Sequence, residues 1–439
     1  MLKDISAIII FPFNQKVFYK MIASLRALHK RINSVIVFQE ENVVLDSSQF
    51  SDWSIHFDFV PIKNDLEKEL NNVIDQMITP YALFLSHTHC LSPHISSEKL
   101  QLKQPKTVLA TCCHDHHSII YLPLFVSTAY IKKIGGFSNV KTPFKEAFLP
   151  AWIANIDKSC QVNKEGLIKQ AWQTVTSTNK EKQLMIEKYQ LEKNKRSSPS
   201  LTVLISNYNM EKYVETAVAS CTLQIEPFDQ ILIIDDGSTD NSLNKLLQWD
   251  NREQVRLFTK NNGGKAKALN KLLPYVTSEF IVELDADDWL DPNAVSIVKK
   301  YLLKLSKETS VLYGNFRRWK QVNEDILFKG ISKGKSVDGE AELMSYSFPL
   351  GPRIYRTSIL KKVGGFPVID FESGRLYEDV SILLQLVKQS KLHYQDFTIY
   401  NIREHKESIT KNNGSKWNEF INNIIPRINN KSPKINEKD

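Results

Sequence analysis

Long apolar runs are missing from this chain. No stretch of roughly 18 apolar residues occurs, so no segment reads as a membrane-spanning helix. The opening Met1–Ser6 leads into a strand-like run too short for a secretory leader, and no small-residue cleavage site follows. Cysteine is scarce: five in 439 residues, at 90, 112, 113, 160 and 221. Their odd number and the lack of any Cys-x-x-Cys argue against a disulfide framework or a thiolate metal site. Reduced thiols in a cytoplasmic protein are the simplest expectation, with the inner face of the membrane as an alternative location. Acidic residues trail basic ones, 49 to 57, for a net charge of +8. That surplus suits a membrane surface, an anionic polymer or a nucleotide substrate. Much of it lies in polar connecting segments, and no nucleic-acid partner is expected. The 42% hydrophobic and 24% charged composition is that of a globular protein, long enough for two or three domains.

Two acidic clusters stand out, Asp235-Asp236-Gly237-Ser238-Thr239-Asp240 and Asp285-Ala286-Asp287-Asp288. Each follows a short apolar run with the look of a buried parallel strand. Ligands bind at the carboxyl ends of such strands in open α/β sheets. Alternate carboxylates at Asp285 and Asp287 can address one Mg²⁺ or Mn²⁺, which prefers oxygen ligands and bridges protein to diphosphate. Asp-Gly is also a common turn pair, but a second acid is more than a turn needs. A carboxylate there can accept a pyrimidine N–H while Tyr208 stacks on the ring. Asn262-Gly263-Gly264-Lys265 opens a helix and suits close backbone approach to an anion. Glu378-Asp379 begins a helix with apolar positions at Val380, Leu383, Leu384 and Leu386. Taken alone, that pair reads as helix-start decoration rather than a catalytic base, although a helix N-terminus would keep a carboxylate ionised.

The pattern occurs twice. Lys132-Lys133-Ile134-Gly135-Gly136-Phe137 matches Lys361-Lys362-Val363-Gly364-Gly365-Phe366. Ile9 to Asn14 parallels Leu204 to Asn209, and Tyr81 to Leu85 parallels Phe280 to Leu284, in the same order. The expected organisation is 1–160, a degenerate copy; 161–200, a helical, charged linker; 201–410, the functional copy; and 411–439, a polar, mobile tail. A short amphipathic stretch in that tail, Trp417–Ile425, leaves weak peripheral membrane association open.

With these pieces in order, residues 201 to about 410 resemble a family 2 glycosyltransferase, an inverting enzyme of the GT-A nucleotide-sugar fold. Ser206-Asn207-Tyr208-Asn209, both acidic clusters, the Asn262–Asn270 loop, Gly364-Gly365-Phe366, Glu378-Asp379 and Arg403–Ile409 carry the resemblance. It implies an α/β fold of tandem GT-A domains, with mostly parallel sheets flanked by helices. It also implies transfer of a hexosyl or N-acetylhexosaminyl group from a UDP-linked donor to a bacterial surface, capsule or spore glycan. Ser206, Tyr208 and Asp236 would hold the base, with Asn262, Lys265 and Asp285 serving the rest of the nucleotide-sugar. Asp287 and His405 would hold the divalent metal, Mn²⁺ or Mg²⁺. Asp379, beside Glu378, would be the general base. The chain departs from the family at Ser206-Asn207, where Pro-Thr is common, and near Leu269, where an Arg is common; Lys265 or Lys267 could replace that cation.

The first copy has Gln39-Glu40-Glu41-Asn42 at the acidic turn, Ser86-His87-Thr88 for Asp285-Ala286-Asp287, and Glu146-Ala147 for Glu378-Asp379. It is expected to transfer nothing and to bind acceptor or organise the fold. Six of the ten histidines fall between His87 and His117, which leaves a transition-metal site or a polar rim as readings. The rival to an enzyme is a sugar- or nucleotide-binding protein of a glycan assembly complex.

Overall fold

Strand Ile5–Ile10 is buried along its whole length, and Leu201–Asn207 nearly so, as expected of parallel strands covered on both faces. The structure is a computed structural model. It describes residues 3–62, 65–115, 118–138, 140–171, 176–191, 198–250, 252, 254–323, 325–345, 351–369, 377–406, 416, 419, 420 and 422. The chain forms two units, Met1–Leu191 and Glu192–Asp439.

The first unit contains β1 (Ile5–Ile10), β2 (Ile32–Glu40), β3 (His56–Ile62), β4 (Tyr81–Ser86), β5 (His89–Leu91), β6 (Val108–Asp115), β7 (Ser118–Ser127), β8 (Gln161–Asn163) and β9 (Ile168–Gln170). Its main sheet runs β3-β2-β1-β4-β7-β6-β8, while β5 pairs with β9. The second unit contains β10 (Leu201–Asn207), β11 (Gln230–Asp235), β12 (Val255–Thr259), β13 (Phe280–Asp285), β14 (Trp289–Leu290), β15 (Thr309–Val322), β16 (Asp325–Ser332), β17 (Arg353–Arg356) and β18 (Lys391–Glu404). Its sheet runs β12-β11-β10-β13-β17-β15-β18-β14, with β16 on β15. In both sheets the first four strands are parallel, the fifth is antiparallel to the fourth, and the seventh is parallel to the sixth. The fold is α/β, with mostly parallel sheets flanked by helices.

The matching glycine pairs do the same job in each unit. All four glycines have positive φ, which a side chain resists. Behind them, Asn71 Oδ1 accepts the Phe137 N–H at 2.9 Å and Asn270 Oδ1 accepts the Phe366 N–H at 2.8 Å. A Cβ on Gly136 or Gly365 would collide with that asparagine.

Two expectations about connecting segments change. The stretch 161–200 was expected to be a linker, yet it supplies β8, β9 and helix Ser177–Lys188 to the first unit, which extends to Leu191. Burial explains it: Lys182 is 5% exposed and its Nζ lies 3.3 Å from Glu146. In the tail, Phe420 is fully buried with its ring 4.6 Å from that of Tyr377, because an aromatic side chain gains more from the core than from solvent. Most of Trp417–Ile425 lies outside the described residues. Among the described residues no helix is long and apolar enough to cross a membrane.

Candidate active site

Because β10, β11 and β13 are parallel, their carboxyl ends share one edge, and Ser206 pairs in register with both Ile234 and Asp285. Ser206 and Tyr208 are half-buried there. The two acids of the following turn divide their work. Asp235 is structural: it accepts from Asn207 Nδ2 at 2.7 Å and from the Ser238 amide at 2.9 Å. Asp236, 2% exposed, faces the glycine loop and accepts the Gly264 N–H at 2.8 Å and the Gly263 N–H at 3.1 Å. Lys260 pairs with it as well. Asn262 is exposed, with its Nδ2 donating to the Asp236 carbonyl at 3.1 Å. The loop opens helix Lys265–Leu272 with Gly264 at φ 89°.

Lys265 stands at the centre. Its Nζ lies 2.5 Å from Asp285 Oδ1, 2.7 Å from Glu283 Oε1 and 3.3 Å from Glu378 Oε1. One ammonium thus joins the acidic end of β13 to the start of helix Glu378–Val387. Burial disfavours its charge, but Asp285, Glu283 and Glu378 outweigh that and hold its pKa well above the usual lysine value. Burial pushes Glu378 up to about 7, against the pull of Lys265. On Glu283 burial acts in the same upward sense, yet Arg353 and Lys265 reverse it and keep the carboxyl below its usual range. Arg353 continues the network with Nη1 3.2 Å from Asp379 Oδ2. Glu283, Arg353 and Tyr355 carried no motif in the sequence.

Asp287 and His405 meet directly, Oδ2 to Nε2 at 3.0 Å. Arg403 holds the loop from behind: its Nε donates to the Asp287 carbonyl at 2.9 Å and its N–H to Asp288 Oδ1 at 2.8 Å. Its guanidinium lies 4.7 Å from the Tyr213 ring and 4.9 Å from Trp289, and Tyr213 also flanks His405. Among the described residues no three His, Cys, Asp or Glu side chains gather into a metal cage. A two-donor pair still fits a cation that keeps water and substrate phosphate in its remaining positions.

All ten predicted site residues therefore lie in the second unit at or beside one sheet edge. Its sequence has relatives. The family model described as glycosyl transferase family 2 matches residues 202–364. The second unit carries a family 2 glycosyltransferase domain. Glu378, Asp379 and His405 lie beyond the matched span. Over 109 residues the chain is 38% identical to a chondroitin synthase of Pasteurella multocida, covering 24% of this chain and 11% of that one. It is 27% identical over 225 residues to glycosyltransferase GlyG of Streptococcus pneumoniae, covering 49% of this chain and 74% of GlyG. The chain thus spans about a tenth of the length of the synthase and about three quarters of GlyG. A solved structure of S. aureus TarS with UDP aligns at 22% identity and a TM-score of 0.38, over 47% of this chain and 60% of that one.

Proposed function

We propose that the second unit is an inverting, metal-dependent glycosyltransferase that moves a hexosyl or N-acetylhexosaminyl group from a UDP-linked donor to a glycan acceptor. The observation that carries this reading is the position of Lys265 Nζ, between Asp285 at 2.5 Å and Glu378 at 3.3 Å. It joins a donor-side carboxylate to the turn that bears Asp379. Asp379 takes the proton of the acceptor hydroxyl, the oxygen attacks the anomeric carbon in line, and the nucleoside diphosphate leaves from the opposite face. Ser206, Tyr208 and Asp236 flank the base, while Asn262, Lys265 and Asp285 serve ribose and diphosphate. Asp287 and His405 would hold the divalent cation, which neutralises charge on the leaving diphosphate. An imidazole donor favours Mn²⁺ over Mg²⁺, which keeps to oxygen ligands. Relatives named for chondroitin and hyaluronan synthesis support a glycan acceptor, with a surface, capsule or spore polymer as the class.

Calorimetry with nucleoside diphosphates and UDP-sugars, with and without Mn²⁺, tests the donor site. Metal-dependent binding of one uridine nucleotide, lost in Asp287→Ala, is the expected result. No binding under any condition would replace this reading with that of a non-catalytic member of a glycan assembly complex.

A further inference from the structure

Glu283 is 3% exposed and sits two residues before Asp285 on β13. Its two oxygens accept from Arg353 Nε and Nη2, each at 3.1 Å, and the Tyr355 hydroxyl adds a third bond at 3.1 Å. This fork fixes the guanidinium plane. The remaining terminal nitrogen, Nη1, reaches Asp379 Oδ2 at 3.2 Å, while Asp379 Oδ1 accepts the Val380 N–H at 2.9 Å. Each oxygen of Asp379 is therefore oriented, one by Arg353 and one by its own helix. Without such contacts a carboxyl group rotates broadly about its last torsion.

Stability alone is a poor reason for this buried pair, since apolar side chains of similar volume serve a core as well or better. The first unit supplies the internal comparison. Phe84 pairs with Ile8 as Glu283 pairs with Leu204, which shifts the sequence match of Ile9 to Leu204 by one residue, and the Leu83–Phe125 pairing corresponds to Val282–Ile354. Phe84 and Leu124 thus occupy the places of Glu283 and Arg353, at 2% and 1% exposure, and Val126 that of Tyr355. The same frame folds with an apolar pair where the edge lacks Asp285, Asp287 and Asp379. The ion pair accompanies the chemistry and not the fold.

We infer that Arg353 is a positioning residue: anchored by Glu283 and Tyr355, it fixes the Asp379 carboxylate relative to the strand that carries Asp285. Acceptor activation and donor binding then share one rigid frame. This rests on the reading of Asp379 as the base.

The test uses the full chain with the UDP-sugar that wild type transfers. Glu283→Phe/Arg353→Leu installs the first unit's pair, Glu283→Gln/Arg353→Met removes both charges with less change of shape, and Arg353→Lys keeps the cation. Both double variants should melt near wild type and bind UDP as wild type does. Their kcat should fall by about 100-fold or more with donor KM little changed, the pattern of a lost transition-state contact. Arg353→Lys should recover part of kcat. A kcat near wild type in either folded double variant overturns the inference, as does a loss confined to KM. Unfolding of both double variants would assign the pair to the fold instead, as would Arg353→Lys having wild-type kcat and a reduced melting temperature. Wild type that transfers nothing, or Asp379→Asn with undiminished transfer, removes the proposed function itself, and this inference with it.

Discussion

In the first unit Thr79 Oγ1 donates to Ser6 Oγ at 2.9 Å; in the second Ser278 Oγ donates to Thr202 Oγ1 at 2.6 Å. Lys132 caps the carbonyl of Met77 at 3.1 Å, and Lys361 that of Val276 at 3.0 Å. The Thr128 amide meets Pro80, and the Thr357 amide meets Glu279, at 2.9 and 3.0 Å. These bonds recur at matching positions of two sheets with the same strand order, which supports the proposal that the chain holds two copies of one plan. At the edge the likeness ends. Ser86 stands where Asp285 does, as the last residue of its strand. Lys145 pairs with Glu40 and Lys182 with Glu146, so cations in the first unit close on their own carboxylates. The same strand order thus stands with either edge.

The largest expected effect tests this division. Asp379→Asn should lower transfer by about 10²- to 10⁴-fold in a steady-state assay, the range of a lost general base. Glu146→Gln, at the place of Glu378 in the first unit, where Ala147 stands for Asp379, should leave the rate unchanged. A comparable loss from Glu146→Gln would show that the first edge takes part in transfer.

Next comes stability against pH, where the two units should respond in opposite directions. Desolvation pushes His87 and His89 in the first unit down to about 4, so the folded state prefers neutral rings. Their contribution is present above the unfolded value near 6.5 and is lost as pH falls toward 4. Glu378 in the second unit is pushed up to about 7 by burial, so the folded state prefers its protonated form. That contribution is present below about pH 4.5 and is lost as pH rises through 7. Each group represents on the order of 3 kcal/mol at full extent. Urea unfolding from pH 4 to 8 should show the alkaline decline flattened in Glu378→Gln and the acid decline reduced in His87→Gln. The same slopes in variants and wild type would refute these assignments.

The smallest effect concerns what the units share. Gly365→Ala and Gly136→Ala should each cost about 2 kcal/mol or more, because a Cβ meets Asn270 or Asn71 in addition to the unfavourable φ. Gly364→Ala and Gly135→Ala, with open space around the new Cβ, should cost about 1 kcal/mol from φ alone. Equal costs within each pair, measured by thermal melting, would mean that the asparagine clamp is not what selects the second glycine.

Much of this was legible in the sequence, and the rest was not for a physical reason. Asp285 and Asp287 sit in a short local pattern at a strand end, where period and turn chemistry mark them, whereas Glu378 and Asp379 open a helix and stand out only through the family resemblance. The apolar runs and the repeated glycine pairs suggest two like halves, but not the order of the strands within either sheet. Glu283 is different. It lies inside a strand, and its partners Lys265, Arg353 and Tyr355 come from two other segments, so no local pattern marks it. Asp236 was read as facing a ligand, and the structure shows its carboxylate on the Gly263 and Gly264 amides. Helix Ser177–Lys188 resembled a linker because its composition is polar, although Lys182 and Met185 face the first unit.

Phe420 has a consequence of its own. Its ring closes on Tyr377, which adopts φ 62° immediately before Glu378 and Asp379. A distant part of the chain thus acts as a wedge behind the turn that bears the proposed base. A change that frees this wedge, whether cleavage, a bulky fusion nearby or a competing partner for the aromatic ring, would reach the base without touching any residue of the acidic edge. On the proposed role of Asp379, transfer would be sensitive to a place that composition marks as expendable.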